Sequence, residues 1–120
     1  MNIGIIGYGV VGKAVAKTLI NQYRVIKYDK YLKLSSFKDL LKCDIIFITV
    51  PTPFNVRTNS VDDSAVRDSL DKLDKNGFRG LALIKSTLPP GSCEIYVKDY
   101  GINIVYNPEF IFRISPFPPT

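Results

Sequence analysis

Three glycines near the amino terminus have the spacing of a loop that holds a pyrophosphate. They are Gly7, Gly9 and Gly12, with Val10 and Val11 between the last two. In such a G-x-G-x-x-G loop the first glycine makes a tight turn and the second lets the backbone approach the phosphates, while the third lets the following helix pack closely on the preceding strand. The free N–H groups at the start of that helix then face the negative charge. The loop therefore predicts a dinucleotide site.

An acidic residue lies at the distance from this loop that is typical of NAD binding. Asp29 follows Gly7 by about 20 residues and ends a β-branched run. A carboxylate there accepts hydrogen bonds from the ribose hydroxyls of the adenosine, and its charge repels a 2′-phosphate. Lys30 follows directly and weakens that repulsion. The pair favours NAD over NADP, and a flavin or another nucleotide is the alternative ligand of a glycine-rich turn.

Small hydroxyl, amide and carboxylate side chains also follow three later strand-like runs, each of which stops at proline. The three segments read Thr49-Val50-Pro51-Thr52-Pro53, Lys85-Ser86-Thr87-Leu88-Pro89-Pro90-Gly91 and Tyr106-Asn107-Pro108-Glu109-Phe110. A proline by itself merely ends a strand. Because ligands of open α/β sheets bind outside the carboxyl ends of the strands, three such segments on one rim indicate ligand contacts.

The elements that would position these residues alternate between strands and helices. Strand-like runs cover residues 2–7, 24–29, 44–50, 80–86 and 102–107, and helix-like stretches cover 10–20, 36–41, 62–73 and 93–100. Ser36, and Asp62 or Asp63, are expected to cap two of the helices. Several strand runs are apolar at consecutive positions, as strands covered on both faces are. The pattern predicts an α/β fold, a Rossmann-type doubly wound parallel sheet of about five strands in a single domain.

Composition limits the classes of function. The 120 residues are 46% hydrophobic and 22% charged, as in an ordinary globular domain. The net charge is +5, but Lys and Arg are scattered, so no nucleic-acid partner is expected. Histidine is absent and the cysteines, Cys43 and Cys93, are far apart, so no metal site is expected. No leader-like segment and no apolar run of membrane-spanning length is found, which predicts a cytoplasmic protein with no membrane partner.

With these motifs together, the sequence resembles the N-terminal domain of the UDP-glucose/GDP-mannose 6-dehydrogenases. The shared features are the glycine loop, the acid that ends the second strand, V-P-T-P, K-S-T-x-P-P-G and N-P-E-F, from Met1 to about Ile111. Members of that family oxidise the C6 alcohol of a nucleotide sugar to a carboxylate with two NAD, through a cysteine thiohemiacetal and thioester. The resemblance implies NAD as the cofactor and NAD and a nucleotide sugar as partners.

The resemblance also implies roles for individual residues. Val50, Pro51 and Thr52 would line the nicotinamide side of the cofactor. Thr87 would help to hold a catalytic water, and Glu109 would assist proton transfer during thioester hydrolysis. The predicted cofactor-binding set is Gly7, Gly9, Val10, Val11, Gly12, Asp29, Lys30, Val50, Pro51, Thr52, Ser86 and Thr87, and the predicted catalytic pair is Thr87 and Glu109. Cys93 is interpreted as a small buried apolar residue, although a helix N-terminus could lower its thiol pKa.

The sequence departs from the family pattern in three respects. The stretch between Asp29 and Asp44 is short, and Arg113 stands where the family has a second glutamate. The sugar-binding half, with its dimerisation helix and catalytic cysteine, has no counterpart here. The expected organisation is an NAD-binding domain over residues 1–111 and a divergent, proline-rich tail over 112–120. The resemblance therefore implies a truncated form that is inactive alone.

Three functions remain open at this point. The first is the NAD-binding domain of a nucleotide-sugar 6-dehydrogenase, as a relic or as one part of a split enzyme. The second is a non-catalytic dinucleotide-binding or interaction module, and the third is another NAD(P)-dependent reductase that shares only the fold. Because the family dimerises and a missing half leaves a sheet edge uncovered, we expect a homo-oligomer or pairing with a separate catalytic half.

Overall fold

The structure is a computed structural model that describes residues 1–32 and 35–108. Its strands are β1 (Asn2–Ile6), β2 (Arg24–Tyr28), β3 (Ile45–Ile48), β4 (Phe54–Asn55), β5 (Ser60–Val61), β6 (Leu81–Ile84) and β7 (Asn103–Tyr106). Its helices are α1 (Val10–Leu19), α2 (Phe37–Leu40), α3 (Ser64–Lys75) and α4 (Ser92–Asp99). Each predicted strand and helix is present, with bounds that differ by a few residues at the ends.

Five of the strands form one parallel sheet in the order β2-β1-β3-β6-β7. Helix α1 covers one face, where Val15 and Ala16 pack with Ile5. The larger core lies on the other face and takes side chains from α2, α3 and α4. Helices on both faces of a parallel sheet confirm the predicted doubly wound α/β fold. They also explain the consecutive apolar residues of β1 and β3, whose side chains pack on both faces, whereas the second face of β6, with Leu81 and Leu83, is only half-buried.

The carboxyl ends of the inner strands are joined by backbone hydrogen bonds that continue the sheet to its rim. The N–H of Gly7 donates to the carbonyl of Tyr28 at 2.8 Å, and that of Thr49 donates to Ile6 at 2.9 Å. One strand further, the N–H of Lys85 donates to the carbonyl of Ile48 at 2.8 Å. These bonds place the glycine loop and the first residues after β3 and β6 side by side on one edge.

A short antiparallel hairpin, β4–β5, was not predicted. It lies between β3 and α3, and each of its strands has two residues. The Asn55 side chain makes the turn, because its Oδ1 accepts the N–H groups of Arg57 at 2.9 Å and Thr58 at 3.3 Å. Asn59 completes it with φ +53°, a left-handed conformation that asparagine tolerates.

A cluster of polar side chains around the buried Tyr96 fastens α3 to α4. Tyr96 is 1% exposed, and its hydroxyl donates to the carboxylate of Asp63, the residue that precedes α3. Arg67 donates to the same carboxylate at 3.1 Å and to Asp99 at 3.2 Å. Burial and the hydrogen bond to Asp63 hold the pKa of Tyr96 above its ordinary value. The carboxylate of Asp63, one of the two expected caps, therefore binds the side chains of Tyr96 and Arg67 and caps no helix N–H. The carboxylate of Asp62 accepts the N–H of Ser64 at 2.9 Å.

Replacing Tyr96 with phenylalanine is expected to lower the free energy of unfolding by about 1 to 2 kcal/mol, because Asp63 loses a buried donor while the ring remains. Urea denaturation measures the change. Tyr31→Phe is the matched control, since Tyr31 is 86% exposed and the same deletion there should cost little. If Tyr96→Phe and Tyr31→Phe had the same free energy of unfolding, the hydroxyl of Tyr96 would not be what stabilises the contact between α3 and α4.

Neither cysteine is an activated thiol. Cys43 is 5% exposed, and burial together with the nearby charges of Asp44 and Asp39 raises its pKa to about 11. At Cys93, in the first turn of α4, burial and then the charge of Glu94 raise the pKa. The helix N-terminus therefore does not produce the lowered pKa that the sequence left open for Cys93.

Thiol labelling is expected to show this directly. At pH 8 a thiol of pKa about 11 is ionised in roughly one molecule in a thousand. In a Cys93→Ser variant the remaining Cys43 should react with a disulfide reagent at least about 100-fold more slowly in the native protein than in urea. Because its pKa lies above the range, the native rate should rise about tenfold per pH unit from 8 to 10. A native rate that is flat with pH would contradict the assignment.

Candidate functional site

A cleft of about 870 Å³ runs along the carboxyl ends of β1, β2, β3 and β6. The predicted cofactor-binding residues that line it are Gly7, Gly9, Val10, Val11, Asp29, Lys30, Val50, Pro51, Thr52, Ser86 and Thr87. Gly12 is buried beneath the loop in the first turns of α1. The structure thus brings together residues from four separate segments of the chain, although their roles toward a ligand stay predictions.

The geometry of the glycine loop matches the requirement at each of its three positions. Gly7 has φ +92°, in the left-handed region that favours glycine. A Cβ on Gly12 would lie 2.1 Å from the carbonyl oxygen of Gly7, so helix and loop touch there. A Cβ on Gly9 would meet no protein atom within 4 Å and would occupy the open space of the cleft.

The same loop leads directly into the N-terminus of α1. The first hydrogen bond of the helix is donated by the N–H of Lys13 to the carbonyl of Gly9, at 2.9 Å. The N–H groups of Val10, Val11 and Gly12 precede it, as the first donors of a helix do. No acidic side chain lies in the first turn. This end of the helix therefore offers an anion N–H donors and the positive end of the helix dipole.

Asp29 holds the glycine loop as well as facing the cleft. One carboxylate oxygen accepts the N–H of Tyr8 at 2.8 Å, and the other accepts the N–H of Tyr31 at 2.9 Å. Each oxygen keeps a lone pair that a ribose hydroxyl could use. The role toward the loop was missed from the sequence, where only the spacing from Gly7 was informative.

At the other end of the cleft, hydroxyl groups tie neighbouring strand ends together. The Thr52 hydroxyl donates to the carbonyl of Thr87 at 2.7 Å, and the Ser86 hydroxyl donates to the carbonyl of Val50 at 2.6 Å. The single proton of the Thr49 hydroxyl is shared between the carbonyls of Ile6 and Gly7 beneath the loop. Because these protons are already used, Thr52 and Ser86 can meet a ligand as acceptors.

One wall of the cleft comes from residues that the sequence did not mark as site residues. Helix α3 contributes Ser64, Ala65, Asp68, Ser69 and Lys72. Their spacing of one, three or four residues places them on one helix face. That regular spacing was the available signal in the sequence, but it was not used to predict site residues.

Aromatic rings and a lysine close the cleft beside β2. The ring of Phe37 meets Tyr28 edge to face, with centroids 5.4 Å apart. The ammonium of Lys72 lies 5.4 Å from the centroid of the same Phe37 ring. Short helix α2 thus supplies an aromatic surface next to Asp29, at the position where an adenosine would be expected.

Lys85 lies at the floor of the cleft; from the sequence it was included in a strand-end motif but not in the cofactor-binding set. It follows β6 directly and is 4% exposed, and burial lowers the pKa of its ammonium. The next two residues, Ser86 and Thr87, belong to the predicted set. Thr87 is exposed at the rim, where a hydroxyl can reach a bound ligand.

Several predicted features fall outside the described residues. Glu109 is one of them, as are Arg113 and the tail over residues 112–120. In the described part of the chain, β7 leads into Asn107 and Pro108, the two residues that precede Glu109. The pairing of Thr87 with Glu109 therefore stays a prediction.

Within the described part of the chain, no helix is both long enough and apolar enough to cross a bilayer.

The comparisons with known proteins agree with one another. A model of the "UDP-glucose/GDP-mannose dehydrogenase family, NAD binding domain" matches residues 24–115. The UDP-glucose 6-dehydrogenases of Rickettsia typhi and Rickettsia prowazekii are 36% and 37% identical to this chain over 102 residues. Each match covers 71% of this chain and 23% of the relative, so the chain spans about a quarter of the length of these curated relatives.

A solved structure shows the same fold. The UDP-N-acetyl-mannosamine dehydrogenase Cap5O from S. aureus superimposes with a TM-score of 0.69 over 94% of this chain and 38% of its own. The two sequences are 16% identical in that superposition, so the comparison shows a shared fold and nothing about function.

Proposed function

Because the chain belongs to the UDP-glucose/GDP-mannose dehydrogenase family, as its NAD-binding domain, we propose that NAD lies along the cleft from β2 to β6. The order of the strands gives the direction. Asp29 follows β2 directly, the glycine loop follows the neighbouring β1, and Thr52 and Thr87 follow β3 and β6. The adenosine would then lie beside Asp29, the pyrophosphate on the glycine loop, and the nicotinamide beside Thr52 and Thr87.

The observation that carries this proposal is the glycine loop itself, set between the two ends of the cleft. The family match begins at residue 24, after the loop, so the loop supports the proposal independently. Its open space at Gly9 and the helix donors at Val10 and Val11 suit a pyrophosphate of two negative charges. NAD supplies a hydride acceptor when bound, and the residues of this chain bind and orient it.

We propose further that the reaction served is oxidation of the C6 alcohol of a nucleotide sugar. Support comes from the named relatives and from the three motifs at the strand ends. Thr87 would hold a water, and Glu109 would assist proton transfer.

A polypeptide of this sequence is proposed to bind NAD without oxidising the sugar, because neither thiol suits the covalent steps. Cys43 precedes β3, so it lies at the end of the sheet opposite the cleft, and its pKa is about 11. Cys93 does not line the cleft, and its pKa is also raised. A nucleophilic thiol needs the opposite conditions, exposure to the substrate and a lowered pKa.

Self-association is proposed as well, together with a cytoplasmic location. Val105 is 44% exposed on β7, an edge strand, and Ile95 and Val97 of α4 are 50% and 53% exposed. Apolar groups beside an open edge favour pairing with another chain. Both cysteines are free thiols, as is usual in a reducing compartment. Light scattering at increasing concentration tests the association, and a constant monomer mass would contradict it.

Titration calorimetry with NAD, NADP and UDP-glucose tests the proposed function. We expect NAD to bind, NADP to bind more weakly, and no NADH to appear at 340 nm when NAD and UDP-glucose are mixed with the protein. Absence of any nucleotide binding would favour an interaction module instead. Equal or stronger binding of NADP would favour a different reductase, and formation of NADH would overturn the proposed inactivity.

A further inference from the structure

Tyr106, the last residue of β7, contacts the segment that carries Thr87. Its hydroxyl accepts the N–H of Leu88 at 2.8 Å and lies 3.3 Å from the carbonyl oxygen of the same residue, to which it donates. Leu88 is 8% exposed, and Tyr106 is half-buried. The phenol therefore satisfies both backbone groups of one residue at the edge of the core.

This contact matters because the segment has few backbone donors of its own. Leu88 is followed by Pro89 and Pro90, which have no N–H. On the other side, the carbonyl of Thr87 accepts the hydroxyl of Thr52 from the end of β3. Thr87 is thus held from β3 through its own carbonyl and from β7 through its neighbour Leu88.

We propose that Tyr106 is a positioning residue, which fixes Thr87 beside the nicotinamide end of bound NAD. The inference rests on the proposed function. Tyr106 does not line the cleft. It acts through the backbone N–H of Leu88, which donates to its hydroxyl. It also immediately precedes the Asn107-Pro108-Glu109 segment, so the same hydroxyl joins the two segments that carry the predicted catalytic residues.

The test compares NAD with ADP-ribose in a Tyr106→Phe variant. ADP-ribose has the adenosine and pyrophosphate of NAD but no nicotinamide, so it does not reach the Thr87 end. Loss of the hydroxyl should weaken NAD binding about fivefold, the worth of one or two ordinary hydrogen bonds. Binding of ADP-ribose should change by less than about twofold. A purely structural role would move both ligands equally.

The matched control is Tyr96→Phe, which deletes the same hydroxyl in the cluster between α3 and α4. It should reduce stability while leaving the ratio of NAD to ADP-ribose affinity as in the unmodified protein. An unchanged ratio in Tyr106→Phe would overturn the positioning role.

Two further results keep the outcomes distinct. If the unmodified protein binds neither NAD nor ADP-ribose, the proposed function fails and the inference fails with it. If it binds both equally well, the cofactor site stands but the nicotinamide is not held beside Thr87, which overturns the inference alone. Should Tyr106→Phe not fold, amide hydrogen exchange on the unmodified protein decides, because an unprotected Leu88 N–H would show that the contact is absent.

Discussion

Replacing Gly12 with alanine is expected to lower the free energy of unfolding by about 3 kcal/mol or more and to abolish NAD binding. The added Cβ would lie 2.1 Å from the carbonyl oxygen of Gly7 and 2.9 Å from the hydroxyl oxygen of Thr49. The first of these atoms belongs to the backbone, so a side-chain movement cannot relieve the contact. Helix α1 would have to move away from the loop, and the helix donors would move with it. Urea denaturation and calorimetry measure the two losses.

Gly9→Ala is the matched control, because a Cβ there meets no protein atom within 4 Å. Gly9 has φ −92°, outside the left-handed region that favours glycine, but its ψ of −148° lies about 30° from the extended region. Alanine should therefore lower the free energy of unfolding by about 1 kcal/mol, much less than at Gly12. NAD binding should still weaken at least about tenfold, since the methyl occupies the space proposed for the pyrophosphate. Full NAD affinity in Gly9→Ala would contradict that placement, and normal stability of Gly12→Ala would contradict the packing.

The second large effect is expected at Asp29. In Asp29→Asn, the amide oxygen can accept one of the two N–H groups of Tyr8 and Tyr31, while the amide nitrogen faces the other as a second donor. One of the two N–H groups therefore loses its acceptor, and the ribose loses a charged acceptor. NAD should bind about tenfold more weakly. NADP should lose less affinity, or gain, because the repulsion of its 2′-phosphate is removed and Lys30 remains.

Asp68→Asn removes the same charge from the opposite wall of the cleft, on α3, and serves as the control. It should change the ratio of NAD to NADP affinity much less than Asp29→Asn. Calorimetry with both nucleotides gives the ratio. If Asp29→Asn weakens both cofactors equally, the carboxylate holds the loop but does not select between them.

The sheet could be predicted because its determinants are local. Runs such as Ile45 to Ile48 are apolar at every position, and the glycine spacing predicts a strand before Gly7 and a helix from about Val10. The hairpin β4–β5 was not predicted because each of its strands has two residues, too few to show an alternation of apolar and polar side chains. Its turn depends on the Asn55 side chain, which is polar and unremarkable in sequence.

The site was predicted only in part, since much of it depends on tertiary packing. Which face of α3 borders the cleft is decided by Val66, Leu70 and Leu73, which are fully buried and fix the rotation of the helix. The direction of the Thr52 hydroxyl depends on how close the end of β6 comes. The spacing of residues along the chain does not predict the distance between the ends of β3 and β6.

The all-parallel order of the sheet has a consequence for how the molecule is made. No two neighbouring strands of the main sheet can be joined by a tight turn, so every pairing awaits a crossover segment. As the chain leaves the ribosome, β1 meets its second neighbour only after β3 has emerged. The cleft needs groups from Gly7 to Thr87 and forms later still. We therefore expect nucleotide affinity to appear only after the nascent chain has emerged beyond Thr87, as a marker that β1, β2, β3 and β6 have paired.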